Sequence, residues 1–306
     1  MYGVRQQSTC GKYGPVKAPR AASALAVLAL CSLLFGLMAV VAKAAAARLP
    51  GPQVAFVRFL FGLAACGLIA TRRPLRARNT VGLVLRGLFG GAAVLCYFLT
   101  IEHLPVGIAT LLNYTAPVFT AVWAALFLRE PLDASAVGAL ALATCGVVLV
   151  SLGTSRNAPL GASYWLMVGA ISAVLSGAAV VVIREVRKTD GAWEIFASFC
   201  AGGALISGVP ALRGWVSPST REWWLLAMVG ALSVVAQVGF TWSMRYVRAA
   251  PAGIIQQLTP VGALALGWLV YGDRIPPLSA AGAVLALTGV SWGAWHISRD
   301  VLPEDA

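Results

Sequence analysis

Ten apolar stretches, each close to the ~20 residues a helix needs to cross a hydrocarbon core of about 30 Å, follow one another along this chain with short joints between them. They cover residues 21–42, 54–70, 80–101, 106–128 and 134–152, then 162–183, 193–212, 223–244, 251–271 and 278–297. In hydrocarbon a backbone must satisfy its own hydrogen bonds, so each stretch is expected to be a helix. The joints carry turn residues: Pro50-Gly51-Pro52, Arg73-Pro74, Pro131, Asn157-Ala158-Pro159, Ser217-Pro218 and Pro276-Pro277. None is long enough to form a soluble domain, so any site must lie among the helices. Composition agrees: 59% of the 306 residues are hydrophobic and only 11% are charged, where a soluble domain averages about 25% charged.

The net charge of +12 does not form one basic face, which argues against nucleic acid. The Lys and Arg residues flank the apolar stretches instead. With the N-terminus in the cytoplasm, 15 of them fall on the inner side and 6 on the outer side, the bias of a protein with both termini inside. The basic leader before residue 21 resembles a signal peptide. The apolar run behind it is too long for one and is followed by more spans, so an uncleaved first helix is expected. The six cysteines are scattered singly without CxxC spacing, and no metal site or cofactor is expected.

The segment Ala109–Val118 returns in register as Ala252–Val261. Pro117 and Pro260 are 143 positions apart, as are the acidic residues Glu130 and Asp273 that follow them. The chain therefore reads as two copies of one unit, residues 21–153 and 161–297, between tails at 1–20 and 298–306. A unit with five spans emerges on the opposite face, so the second copy is expected to be inverted. The fold class expected is an all-α membrane protein of ten transmembrane helices in two inverted five-helix repeats.

The run Ala109–Pro117 through Arg129-Glu130 and the helix around Gly138–Gly146 have counterparts in Ala252–Asp273 and Gly282–Gly289. Phe35-Gly36 and Ser176-Gly177 also match, and Arg58 stands in the second span. On these residues the chain resembles an EamA-type permease of the drug/metabolite transporter superfamily, over about residues 22–297. The resemblance implies ten helices around a central cavity and transport of a small organic solute, often export of amino acids or related metabolites. Phe199 stands where the repeat of Arg58 would project.

Arg58 is the foremost binding candidate. A charge within a span is expensive unless it snorkels or finds a partner, and its planar fork suits a carboxylate or phosphate; snorkelling to headgroups is the competing reading. Asn113-Tyr114 aligns with Gln256-Gln257, so four polar side chains at related depths could line a cavity or simply bond neighbouring helices. Tyr97 is a candidate for stacking on the solute. Pro117 and Pro260 each remove an N–H and kink their helices, and with Glu130 and Asp273 they form the candidate gating set, the competing reading of the two acids being solvated loop locks on Arg129 and Arg274. Glu194, near a span end, is expected to be solvated. The glycines Gly87 and Gly91 are expected to pack helices within the molecule.

No GxxxxGK[ST] phosphate loop exists, so transport would run on gradients. His103 and His296 have no Asp or Cys at catalytic spacing, and no catalytic residue is expected; a membrane-embedded enzyme is the alternative class, and a carrier of phosphorylated solutes the alternative cargo. The partners expected are a zwitterionic or anionic small molecule and membrane lipid, with the protein in the inner membrane as a monomer or homodimer.

Overall fold

A computed structural model describes residues 18–128, 134–155, 162–243, 255–256, 258–272 and 275–299. Among them there is no strand. The helices are α1 (Ala18–Ala45), α2 (Gly51–Ala70), α3 (Thr80–His103), α4 (Val106–Asn113), α5 (Ala116–Leu128), α6 (Ala134–Ser155), α7 (Ala162–Val186), α8 (Ala192–Arg213), α9 (Thr220–Ser243), α10 (Leu258–Tyr271) and α11 (Pro277–Arg299). Six of them contain windows long and apolar enough to cross a membrane: Ala26–Ala45, Gly51–Ala70, Thr80–His103, Ser163–Val186, Ala192–Arg213 and Thr220–Ser243. Large apolar side chains on their outer faces stay exposed, among them Leu68, Leu205 and Trp224, as lipid-facing residues should be.

The helix ends show why the chain turns where it does. Ser219 and Glu222 form a reciprocal capping box, with Ser219 N–H donating to Glu222 Oε2 at 2.6 Å and Glu222 N–H to Ser219 Oγ at 3.4 Å. That box starts α9 at Thr220, three residues before hydropathy alone would place it. Asn79 caps α3 by accepting from Gly82 N–H at 2.9 Å. The far end of α3 is closed by Lys43, whose Nζ donates to the carbonyls of Ile101, Glu102 and Leu104 at 2.8, 3.2 and 3.0 Å. A cation on the last carbonyls also complements the negative end of the helix dipole.

The stretch 106–128 is not one helix. It divides at Tyr114-Thr115 into α4 and α5. Pro117 has no N–H, so the carbonyl of Asn113 loses its natural helical donor. Thr115 N–H bonds the carbonyl of Leu112 at 3.2 Å and Val118 N–H that of Thr115 at 3.0 Å, which tightens the chain locally before α5 resumes.

Packing runs across the middle of the sequence. α6 lies along α11, α2 along α8, α3 against α7 and α8, and α1 against α9 and α10; α2 also meets α9, and α5 meets α7. Close contacts occur in related pairs. A Cβ on Gly146 would lie 2.7 Å from Ala286 Cα, and one on Gly289 would lie 3.1 Å from Ala143 Cα. The 143-residue offset carries one contact into the other. Likewise, Gly36 abuts the backbone of Thr259 and Ala263, and Gly177 that of Phe119 and Thr120. Gly87 and Gly91 lie against Ser198, Gly202 and Gly203 of α8, so they pack helices within the chain, as their spacing suggested. The main core gathers Phe59, Phe98, Phe196, Phe199 and Leu226 between α2, α3, α8 and α9.

One loop contact can be tested directly. Asp190 accepts from Arg78 N–H at 2.8 Å, Asn79 N–H at 3.0 Å and the Thr189 hydroxyl at 2.6 Å, tying the α7–α8 loop to the start of α3. Burial acts to raise its pKa, but these hydrogen bonds outweigh it and the net shift is downward. The contribution is therefore complete above the ordinary Asp value near 4 and is lost as pH falls through the lower native value. Asp190→Ala is expected to cost about 1–2 kcal/mol, and to flatten the acid limb of a melting-temperature titration in detergent.

Candidate functional site

Arg58 occupies the third turn of α2 and is only 4% exposed. Its Nε donates to Ser233 Oγ of α9 at 2.6 Å. Its Cζ lies 5.2, 5.8 and 5.6 Å from the ring centres of Phe59, Phe98 and Phe199. Nη1 is buried without a hydrogen-bond partner, and no acidic residue among those described pairs with this arginine. Snorkelling is thereby ruled out: three rings and a neighbouring helix hold the guanidinium inside the bundle. The rings supply cation–π attraction but no negative charge, and an arginine stays protonated in a protein.

Two tyrosines share its electrostatic surroundings, Tyr97 and Tyr114. Tyr97 Oη lies 2.8 Å from Thr110 Oγ1, and Thr110 gives its single proton to the Val106 carbonyl at 2.7 Å. Tyr97 is therefore the donor. The Tyr97 phenol oxygen is thus left as an acceptor, with its proton already committed. Tyr114 stands at the α4–α5 break. It lies close to the Thr259 hydroxyl of α10, which spends its own proton on the Ser32 carbonyl at 2.8 Å.

Asn113 closes α4 beside Tyr114. Its Nδ2 donates to Ser172 Oγ at 2.6 Å and Ser176 Oγ at 3.2 Å, and Ser172 passes its proton to the Ala93 carbonyl at 2.8 Å. The amide thus bonds α7, the commoner fate of such a residue. Its Oδ1 accepts nothing from the described residues. Pro117 sits in the first turn of α5, just past the break. Gln256 is half-buried ahead of α10, and Pro260 lies in that helix. Gln257, Glu130 and Asp273 lie outside the described residues, so of the four polar residues expected to align only Asn113, Tyr114 and Gln256 are described.

Glu194 corrects an expectation. It is 8% exposed, not solvated, with Oε1 3.5 Å from Arg73 Nη2 and Oε2 buried without a partner. The first turn of α8 is covered by the Arg72–Asn79 loop, as the related position Gln53 is covered by Val216, which it bonds through both amide atoms at 2.8 and 3.0 Å. His103 stacks on Trp165 with ring centres 3.5 Å apart, a packing role.

Sequence reasoning missed the partners of these side chains. Ser233, Thr110, Thr259 and Ser172 look like the many hydroxyls that bond their own helix four residues back, as Thr100, Ser207 and Thr241 do here. It also missed Arg86, buried in the second turn of α3. The signal was there, a charge inside a span, but the basic loop just before it made it look like a flank.

The EamA-like transporter family model matches the chain twice, over residues 22–152 and 163–292. The chain belongs to the EamA-like transporter family. This EamA-family protein is 30% identical over 264 residues to the pseudopaline exporter CntI of Pseudomonas aeruginosa, covering 85% of this chain and 91% of that one. It is 27% identical over 231 residues to a "probable terminal-alkyne amino-acid exporter" of Streptantibioticus cattleyicolor, covering 74% and 76% of the two chains. A solved crystal structure shares the fold at a TM-score of 0.64 and 22% identity, over 92% of this chain and 99% of that one. The EamA-family protein is thus a multi-pass membrane protein of a transporter family.

Proposed function

We propose that this EamA-family protein is a secondary transporter that exports small organic solutes, amino acids or related metabolites, across the inner membrane by alternating access. The observation that carries this reading is Arg58, a permanently charged guanidinium inside the bundle with no carboxylate among the described residues to balance it. An anionic group on a solute would balance that charge. In this reading Tyr97, Tyr114, Asn113, Gln256 and Gln257 are the solute's further contacts, accepting from an ammonium or hydroxyl. The relatives named as exporters support the direction.

In this reading α4 and α5 are the two parts of one span, and residues 251–271 form its counterpart. Pro117 and Pro260 keep both spans irregular, which is tolerable in a membrane where a cavity satisfies the backbone. Residues 21–153 and 161–297 are then inverted repeats with both termini cytoplasmic, Glu130 and Asp273 at opposite faces. The reciprocal contacts Gly146–Ala286 and Gly289–Ala143 support that arrangement, since an exchange of equivalent halves returns each contact as the other.

Purified protein in liposomes loaded with radiolabelled amino acids should release one or more of them, chemically unchanged, faster than empty liposomes. Absence of protein-dependent flux across the whole amino acid set, or recovery of a covalently altered solute, would falsify the proposal. Within that assay, Asn113→Ala is expected to raise the apparent KM about 2- to 10-fold, the loss of one hydrogen bond, with the maximal rate within about 2-fold of wild type. The KM-against-rate split separates solute contact from a helix-packing role, which would lower expression and melting temperature instead.

A further inference from the structure

Arg86 is as deeply placed as Arg58 and is 5% exposed. Its side chain folds back over its own helix, where Gly90 leaves room: a Cβ at that position would overlap Arg86 Nη1. The guanidinium lies over the Phe199 ring, 4.1 Å from its centre. Nε is buried without a partner, and Arg86 makes no hydrogen bond or ion pair with any described residue. The glycine, the ring and the bare donors together hold a charged fork in place with its hydrogen-bonding capacity unspent.

Arg58 and Arg86 meet at that ring. Their Cζ atoms lie 5.6 and 4.1 Å from the centre of Phe199, so they are no farther apart than the sum of those distances. The repeat accounts for the room that Arg86 occupies. Phe199 is the counterpart of Arg58, and Gly90 stands 143 positions before Ser233, the residue that Arg58 bonds. One pair that joins the two halves is arginine and serine; its counterpart is phenylalanine and glycine, which leaves space for Arg86. Two like charges at this separation in a low-dielectric interior repel strongly, and neither can be relieved by losing a proton. A single negative charge balances one of them only.

We propose that Arg58 and Arg86 are two subsites for one dianionic solute, each guanidinium taking one carboxylate. The solute is then an acid whose carboxylates are separated by a few bonds, of about the reach of succinate or glutamate. This deepens the export reading by giving the solute a second required charge, and it is tested by binding, independent of flux.

The test uses full-length protein in detergent, with sodium succinate as probe and sodium acetate at twice the concentration as the one-carboxylate control, at constant ionic strength. Succinate is expected to raise the melting temperature of wild type by about 4 °C or more at saturation, and acetate by less than 1 °C by the same relation. In Arg86→Gln the two acids are expected to act alike. Gly90→Ala, which keeps the charge but displaces the fork, is expected to do the same, and it stands in if Arg86→Gln does not fold. Equal stabilisation by succinate and acetate in wild type overturns the proposal, and so does a succinate advantage that survives in both variants. Succinate binding without any flux in liposomes would instead uphold the two subsites and defeat the export reading.

Discussion

Arg58→Ala transporters in liposomes are expected to lose at least about 30-fold in transport kcat/KM, the loss on truncating one partner of a buried charge pair. Arg58→Lys is expected to recover little. A lysine is a point charge on a flexible stem, and it cannot give a carboxylate two parallel donors while holding Ser233. The stability of the same position should move the other way. Arg58 is buried with Nη1 unpartnered and three phenyl rings around it. Replacing such a charge by an apolar side chain of similar volume is often neutral or stabilising by about 1–4 kcal/mol. Arg58→Met protein is thus expected to melt no lower than wild type while transporting almost nothing. A structural arginine would give the opposite pair of results, with melting temperature and transport falling together. Thermal melts beside flux measurements on the same preparation decide between them.

The largest effect on stability is expected at the α6–α11 seam. Gly146 and Gly289 let the two backbones approach until only a hydrogen fits between them. In a membrane there is no hydrophobic force to press helices together, so close van der Waals contact between small residues carries much of the association. Gly146→Leu must part the helices or twist one of them. It is expected to cost about 3 kcal/mol or more, beyond the usual range for an extra methylene, and to lower the melting temperature by about 5 °C or more. Gly289→Leu should act alike, because its contact with Ala143 is the counterpart of that of Gly146 with Ala286. Size-exclusion profiles and melts of the two single variants and the double variant check this. Because the sites share one seam, the double variant should lose clearly less than the sum of the singles. Full additivity would show that the two contacts do not support each other.

Much of the architecture could be read in the residues, because span length and loop turns are local signals. The break at Tyr114-Thr115 was foreshadowed by Pro117, whose missing N–H acts whatever surrounds it. The start of α9 was written in Ser219 and Glu222 but hidden behind a hydropathy boundary. The site was legible only in part. Arg58, Tyr97 and Tyr114 stood out as polar groups in apolar stretches, and the fold brings them near one another. What no local pattern carries is the pairing across the sequence: Ser233 for Arg58, Ser32 for Thr259, Ser172 for Asn113. Glu194 was misjudged for a related reason, since its cover is the Arg72–Asn79 loop, more than a hundred residues earlier. Arg86 was overlooked because charge near a span end usually reaches for headgroups, and only Gly90 and Phe199 show that it turns inward.

The α6–α11 seam also limits how the molecule can move. Two backbones in contact over glycine and alanine have nothing between them to yield, so sliding one past the other would forfeit the whole contact. The two helices must travel as one body, although one comes from each of the two segments that match the family model. In the proposed alternating access, the change that opens the centre to the other side therefore divides the protein along a different line from its sequence, and the pieces that move are not the two matched segments.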